Sequence, residues 1–206
     1  MATTPGERPD GRASARPRLF IAVELPHELR AALAALQEEL RRHVSEGLRW
    51  VRPDGIHLTL KFLGETPAGS VPAIQQAIAR AAAAAAPHTV ALGGLGTFGS
   101  VNRPQVLWIA LTGDVEELSV LQQQVEGGLE PLGFSRERRP FAAHLTLARV
   151  RPESARAVAA PLGGALEAVR PPRGEMQVRE LALMRSFLRP GGAVYQAVAT
   201  FPLGGR

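Results

Sequence analysis

The same four residues occur twice in this chain of 206 residues, and they include types that move protons and bind anions. The tetrapeptide HLTL spans residues 57–60 and again residues 144–147. Histidine titrates near neutral pH and can serve as a general acid or a general base. A threonine hydroxyl can donate a hydrogen bond to an oxygen on which negative charge develops. One copy would be a weak motif, whereas two identical copies are a strong one.

Strand geometry would place each histidine beside its own threonine. Both tetrapeptides lie in short apolar runs that predict β-strands, and successive side chains of a strand point to opposite faces. His57 and Thr59 therefore share one face, as do His144 and Thr146, while the leucines pack on the core. If the two strands face each other about a pseudo-dyad, one cleft holds two imidazoles and two hydroxyls.

That set of groups suits the cleavage of a phosphodiester. The reaction needs a base to take a proton from water or an internal nucleophile, and an acid to protonate the leaving oxygen. Two positioned histidines supply both, each contributing about 10²–10⁴-fold to the rate, and we expect no metal ion or other cofactor. The alternative is that each histidine is a half-buried strand residue and each threonine merely a good β-former. The matched pair of motifs argues against that alternative.

Strand and helix patterns alternate around the two motifs. Strands are predicted near residues 18–23, 56–63, 90–95, 106–111, 144–150, 178–186 and 193–201. Helices are predicted over residues 26–43, 71–86 and 114–132, with a short one near 153–160. Residues 1–17, rich in Pro, Gly and Arg, predict a disordered leader, and residues 18–206 a single domain. The two similar passages of strands and helices predict an α+β fold with two lobes.

Composition excludes several other classes of protein. There is no cysteine, which removes disulfides, thiolate zinc sites, iron–sulfur clusters and a cysteine nucleophile. No apolar run approaches the about 20 residues of a membrane helix, so we expect no membrane partner. The net charge is +5, and Lys61 is the only lysine among 24 basic residues. The excess of arginine fits an RNA partner, but it also fits the codon bias of a GC-rich genome.

Four stretches, spread over about residues 18–203, form a recognisable set. They are RLFIAVELP at residues 18–26, HLTLKFLGE at 57–65, PFAAHLTLAR at 140–149, and a closing stretch from Arg185 to Tyr195. Together they resemble the two-histidine phosphoesterases, specifically the RNA 2′,3′-cyclic phosphodiesterases, also called 2′-5′ RNA ligases or LigT-like proteins. The chain departs from that family's pattern at Ala143, where a proline is usual, but the change removes no reacting group.

The resemblance implies a bilobal α+β fold in which antiparallel sheets face a central cleft and helices lie outside. It implies metal-independent hydrolysis of a terminal ribose 2′,3′-cyclic phosphate to a 2′-phosphate, with 2′-5′ RNA ligation as the reverse step. His57 would be the proton donor to the leaving 3′ oxygen, and His144 the proton acceptor that activates water. Thr59 and Thr146 would bind the phosphate. The partner would be RNA with 2′,3′-cyclic phosphate or 2′-phosphate ends, and we expect a cytoplasmic monomer.

Several nearby residues are weaker candidates for substrate binding. Arg149 follows His144 by five positions, so regular alternation would point it away from that histidine. It could contact the RNA backbone or form an ion pair. Phe141 could stack on a nucleobase or belong to the core, and for Phe20 we favour the core. The basic loop before the second motif could attract a polyanion or form a solvated turn; it contains Arg136, Arg138 and Arg139.

Two other functions stay open from the sequence alone. One is a non-catalytic module that binds nucleotides or RNA in the same cleft, although such a module has no need of two titratable groups. The other is a related esterase that acts on 2′-5′ oligonucleotides or cyclic ADP-ribose phosphates, which the motifs do not separate from the first. A metal enzyme is the least favoured, because two histidines alone do not make a convincing zinc site.

Overall fold

The structure, a computed structural model, describes residues 16–189 and 192–204. In chain order its strands are β1 (Arg18–Glu24), β2 (Leu48–Trp50), β3 (His57–Glu65), β4 (His88–Ser100), β5 (Arg103–Gly113), β6 (His144–Val150), β7 (Glu175–Val178), β8 (Glu180–Arg189) and β9 (Gly192–Pro202). Its α-helices are α1 (His27–His43), α2 (Val71–Ala83), α3 (Val115–Leu129) and α4 (Ala159–Ala168). The fold is of the α+β class, as predicted.

The described strands form one antiparallel sheet of two similar halves. The strand order is β7-β4-β5-β6-β3-β1-β8-β9, with β2 paired to the side of β6. The halves meet where β3 lies beside β6, and Leu58 opposite Leu145 is the one residue pair recorded there. The two predicted lobes are therefore the two halves of a continuous sheet, joined at the centre by the strands that carry the motifs.

The junction between the halves places the two motifs about a local two-fold axis. An antiparallel pair of residues has such an axis passing between its members. Leu58 and Leu145 are each the second residue of an HLTL tetrapeptide, so the axis between them superimposes one tetrapeptide on the other. The pseudo-dyad expected from the repeated motif is present at this position of the sheet.

The helices and the leucine face of the motif strands enclose the main hydrophobic core. The four motif leucines are all buried within it: Leu58, Leu60, Leu145 and Leu147. In the helical layer, α2 contacts α3 and α1 contacts α4. The buried Gln37 of α1 donates hydrogen bonds from Nε2 to the carbonyls of Val51 (2.8 Å) and Leu147 (2.9 Å), which ties this helix to the second motif. None of the helices in the described segments is long and apolar enough to span a bilayer.

Most predicted elements are present, and the main differences lie in short or broken segments. Strand β2 was not predicted, because three residues are too few to show a period. The predicted strand at 178–186 is broken at Arg179: β7 pairs with β4, whereas β8 pairs with β1 in the other half of the sheet. One apolar run of the sequence thus contributes to two strands that lie in different halves of the sheet. Alternation along the sequence does not reveal the break between them.

The predicted helix ends were also partly wrong. Helix α2 ends at Ala83 rather than residue 86, and α3 ends at Leu129, followed by a 3₁₀ turn to Leu132. The last helix was expected near residues 153–160 but lies at Ala159–Ala168, where it tolerates two adjacent glycines because Leu162 and Ala165 are buried. Packing of these side chains therefore outweighs the low helix propensity of glycine.

Part of the predicted leader and turn lies outside the described residues. These parts are residues 1–15 of the leader and Pro190 and Gly191 of the final turn. At the other end of the leader, the carbonyl of Pro17 accepts a hydrogen bond of 2.9 Å from the backbone N–H of Thr66, which follows β3. The chain therefore joins the sheet from Pro17 onward.

Candidate active site

The two histidines and two threonines of the motifs lie on the face of the sheet opposite the buried leucines. All four side chains are half-buried, whereas the leucines between them are fully buried. Because Leu58 lies opposite Leu145, the next positions in register pair His57 with Thr146 and Thr59 with His144. The junction of the two half-sheets therefore brings both imidazoles and both hydroxyls to one place.

Each motif strand contains an irregularity at the last residue of its tetrapeptide, at equivalent positions. In β3, Thr59 pairs with Ala22 and Lys61 with Ile21, so residue 60 has no partner on β1. In β6, Thr146 pairs with Trp108 and Ala148 pairs with Leu107, so residue 147 likewise has no partner on β5. An extra residue of this kind is a β-bulge, and it shifts the alternation of side chains by one position.

The bulges return two further side chains to the motif face. After the shift, Phe62 of β3 and Arg149 of β6 are both exposed, and both line the same cavity. The two positions are equivalent, because each residue lies five positions after the histidine of its own strand. The expectation from regular alternation that Arg149 points away from the site is therefore wrong, and the bulge is the physical reason.

His57 lies in a small apolar pocket on the motif face. Its ring is 4.7 Å from the ring of Phe20 and 4.9 Å from that of Tyr195, which stands nearly perpendicular to it. The pKa of His57 is lowered from 6.5 to about 4, chiefly by burial; a hydrogen bond to the Gly55 backbone opposes this shift, and the positive charges of Arg30 and Arg149 add to it. In the free protein at neutral pH, His57 is therefore uncharged.

His144 is held by a backbone carbonyl and by two aromatic side chains. Its Nδ1 lies 2.7 Å from the carbonyl oxygen of Ala142. A carbonyl only accepts hydrogen bonds, so Nδ1 carries the proton and Nε2 is the nitrogen left to exchange one. The ring edge meets Phe98 at 4.8 Å and Trp108 at 6.3 Å between ring centres. The tautomer suited to a proton acceptor at Nε2 is thus fixed by the backbone.

A cavity of about 740 Å³ opens beside His57. Phe20, Tyr195 and Gly55 form part of its wall, and the rings of Phe20 and Tyr195 also contact His57. Much of the remaining wall is basic and exposed, and it includes Arg18, Arg49, Arg52, Arg149 and Arg189. The site therefore combines two histidines and two threonines with an adjacent cationic recess.

The two phenylalanines singled out in the sequence differ in their relation to this centre. Phe141 is half-buried, packs against the main core and is not among the residues that line the cavity. Phe20 is buried, as expected, but in a second small cluster on the motif face, together with Ala22, Ala182 and Met184. A role of Phe141 in binding substrate stays a prediction.

The basic loop before the second motif is largely engaged with its own acidic residues. Arg136 forms an ion pair of 2.9 Å with Glu130. The Glu137 carboxylate accepts hydrogen bonds from the backbone N–H groups of Arg138 and Arg139. This arrangement is that of a charged turn on the surface, which was one of the two alternatives for the loop.

Sequence reasoning did not assign site roles to the aromatic side chains that surround the histidines. Tyr195 lies in the fourth family stretch, so its position in the sequence was a usable signal. Trp108 was expected only to pack, and its ring does lie across Gly96, where an added Cβ would come within 2.3 Å of it. Trp108 also pairs directly with Thr146 across the sheet. Neither its contact with His144 nor that of Phe98 could be foreseen without the strand register.

Among residues 16–189 and 192–204, no group of three or more His, Asp or Glu side chains is placed to hold a metal ion. The imidazoles and hydroxyls of the two motifs can form hydrogen bonds to a bound group.

Comparison with known proteins identifies the family. The model of the LigT like phosphoesterases matches the chain twice, over residues 23–108 and 109–195, and each matched range contains one HLTL tetrapeptide. The RNA 2′,3′-cyclic phosphodiesterase of Thermus thermophilus is 37% identical over 194 residues, 91% of each chain. The enzyme of that name from Geobacillus stearothermophilus is 32% identical over 195 residues, and the match covers 91% of this chain but 58% of that protein.

A solved structure extends the comparison to three dimensions. The crystal structure of E. coli LigT complexed with 3′-AMP superimposes with a TM-score of 0.71 at 26% identity, covering 91% of this chain and 98% of that one. The fold, the repeated motif and the sequence similarity all agree. The chain belongs to the LigT-like phosphoesterase family.

Proposed function

We propose that this protein is a metal-independent RNA 2′,3′-cyclic phosphodiesterase that converts a terminal cyclic phosphate to a 2′-phosphate. The observation that carries the proposal is the pairing of two identical His/Thr motifs about the junction of the half-sheets, at Leu58 and Leu145. The names of the curated relatives support the same activity.

In the proposed reaction, one histidine accepts a proton and the other donates one. His144 Nε2 takes a proton from water, whose oxygen attacks phosphorus, and the bond from phosphorus to the 3′ oxygen breaks. His57 gives a proton to that leaving oxygen, so the products are a 2′-phosphate and a free 3′-hydroxyl. Thr59, Thr146 and Arg149 bind the non-bridging oxygens, on which charge develops. When a 5′-hydroxyl takes the place of water as the nucleophile, the same bond to the 3′ oxygen breaks and the product is a 2′-5′ linkage.

The donor role of His57 requires that substrate binding restores its proton. With a pKa of about 4 the imidazole is neutral in the free protein, and two of the causes are the charges of Arg30 and Arg149. A bound phosphodiester is an anion that offsets both charges and favours the imidazolium form. Substrate binding and activation of the acid are then one event.

The test is turnover of a short RNA that ends in a 2′,3′-cyclic phosphate, in the presence of EDTA. We expect wild type to yield the 2′-phosphate, and the double variant His57→Ala/His144→Ala to yield none. The matched control is His27→Ala/His43→Ala, which removes two exposed histidines from the ends of α1 and should keep full activity. Equal turnover by wild type and the motif variant would exclude the proposed mechanism, and binding of RNA without product would favour the binding module.

A further inference from the structure

The cavity beside His57 carries more positive charge than one reacting phosphate requires. Its wall includes five arginines and no Asp or Glu: Arg18, Arg49, Arg52, Arg149 and Arg189. All five side chains are exposed. Concentrating one sign of charge in a recess raises the local concentration of anionic ligands.

Most of this charge is not neutralised within the protein. In the described part of the chain, Arg52 is the one member of the five that forms an ion pair, at 2.7 Å with Asp54. Arg149 is assigned to the reacting phosphate under the proposed function. Arg18, Arg49 and Arg189 are left without an acidic partner and without a role, so they are the arginines that a further anionic group would meet.

The same recess displays an aromatic ring to solvent. Phe62 is 65% exposed, an unusual position for so apolar a side chain, and the bulge of β3 is what turns it to this face. Its ring centre lies 6.0 Å from that of Phe20, which in turn contacts His57. Exposed aromatic rings among basic side chains are typical of sites for single-stranded nucleic acid, where bases stack and phosphates are paired.

The recess adjoins the reacting groups but does not contain them. Phe20, Gly55 and Tyr195 belong to its wall, whereas His57, Thr59, His144 and Thr146 do not. Its volume of about 740 Å³ falls in the range of pockets that bind small organic molecules, about 300–1,000 Å³. A nucleotide bound there would lie next to the cyclic phosphate rather than on it.

We propose that this recess is a subsite for the nucleotide that precedes the terminal one, with its base on Phe62 and its phosphate among Arg18, Arg49 and Arg189. The proposal rests on the proposed function, because it takes the chain end to be at the two histidines. It assigns the substrate class more narrowly: an RNA chain of two or more nucleotides is preferred to a nucleoside 2′,3′-cyclic phosphate.

The first test compares turnover of a nucleoside 2′,3′-cyclic phosphate with that of a tetranucleotide bearing the same end. We expect kcat/KM for the tetranucleotide to be at least about 10-fold higher, the effect of one base–aromatic stack. Phe62→Ala and the triple variant Arg18→Gln/Arg49→Gln/Arg189→Gln should each remove this preference and leave the mononucleotide rate within about twofold. Arg80→Gln, an exposed arginine on α2, is the matched control.

The possible outcomes separate the subsite from alternatives. Equal losses on both substrates would mean that the recess holds the terminal nucleotide itself, and this would overturn the proposal. No preference for the longer substrate in wild type would overturn it as well. If wild type turns over neither substrate, the proposed activity is wrong. The existence of the subsite is then tested by RNA affinity, which does not depend on turnover.

That measurement is the affinity for a fluorescein-labelled RNA tetranucleotide, followed by anisotropy at several salt concentrations, with an unlabelled mononucleotide as competitor. Each phosphate contact contributes about 0.7 to the slope of log K against log salt for a single strand. Because the three arginines meet one phosphate, the triple variant should lower the slope by about 0.7, and Phe62→Ala should weaken binding with little change of slope. Unchanged affinity and slope in both variants would refute the subsite.

Discussion

The two halves of the sheet share one backbone design and differ in the surroundings of their histidines. Each half presents HLTL on the strand at the junction, with a bulge at the last residue of the tetrapeptide. His57 is enclosed by Phe20 and Tyr195, which lowers its pKa to about 4. His144 is oriented by the Ala142 carbonyl and meets aromatic rings at its edge. The repeat therefore fixes where the imidazoles lie, and the neighbours decide what each can do.

The positions next to the bulge diverge further. The first half has Lys61 and Phe62, where the second has Ala148 and Arg149. Opposite the threonines the sheet has Ala22 in the first half and Trp108 in the second. A symmetric frame thus carries an asymmetric set of side chains, with the apolar base-stacking candidate on one strand and the phosphate-binding candidate on the other. Under the proposed function, the different surroundings suit one histidine to donate a proton and the other to accept one.

The largest expected effect is that of removing either histidine. The surroundings of the two histidines differ, but the proposed reaction needs both. His57→Ala and His144→Ala should each lower kcat by about 10²–10⁴-fold, because each positioned acid or base contributes that much. The double variant should lose less than the product of the single losses, because the two groups act in one step. The measurement is single-turnover cleavage of a cyclic-phosphate RNA, and a single variant with full activity would leave catalysis to one half only.

The next largest effect concerns the buried lysine that only the first half contains. Lys61 Nζ lies 2.6 Å from Glu126 Oε2 and 2.5 Å from the carbonyl of Ser135, and both charged side chains are over nine-tenths buried. Gln122 donates a hydrogen bond of 3.1 Å to the other oxygen of Glu126. Lys61→Met removes one partner and leaves a buried carboxylate unpaired, which should lower the free energy of unfolding by about 3–5 kcal/mol.

Urea denaturation measures that loss, and a second variant shows its cause. Lys61→Met/Glu126→Met removes both charges, so it should recover most of the stability. Substituting Ala148, the equivalent residue of the second half, offers no such test, because no charge is buried there. If Lys61→Met costs less than about 1 kcal/mol, the pair does not join β3 to α3 in the way that its burial indicates.

Sequence reasoning placed the histidine and threonine of each motif on one face because a repeated motif can be recognised without long-range structure. The face shared by His57 and Thr59 followed from alternation alone. The facts that it missed depend on partners distant in the chain. Arg149 was misplaced because a bulge is decided by pairing with β5, and the pocket around His57 is built by Phe20 and Tyr195 from opposite ends of the domain. Local patterns contain neither the register nor the bulge.

The low pKa of His57 should make the stability of the protein depend on pH in one direction. Between pH 6.5 and about 4 the unfolded chain binds a proton at this residue that the folded chain does not, so stability falls as the pH falls through that range. The contribution is up to about 3 kcal/mol. Unfolding curves at pH 7 and pH 4 should differ less for His57→Gln than for wild type by that amount. Equal pH dependence in the two proteins would contradict the burial of His57.

Anion binding should act on the same histidine in the opposite sense. Titration by NMR should give a pKa near 4 for His57 in the free protein, and a value back toward 6.5 or above it when inorganic phosphate is bound. The sign follows from replacing the net repulsion of two arginines by attraction to an anion. A pKa that stays near 4 in the complex would rule out His57 as the proton donor.

The smallest effect should come from Arg149, and it links the two halves across their junction. Its charge lowers the pKa of His57, so Arg149→Gln should raise that pKa in the free protein, by less than phosphate binding does, because burial is the larger cause. Arg149→Gln should also raise KM by about 10-fold, because a charged hydrogen bond to the substrate is lost. Arg149→Lys should keep the pKa of His57 low, because the positive charge remains. It should restore only part of the substrate binding, since lysine lacks the bidentate geometry. Phe62→Leu, the change at the equivalent position of the first half, should leave the pKa of His57 unmoved because it alters no charge. An equal shift in both variants would mean that packing at the bulges, rather than the charge of Arg149, controls the histidine.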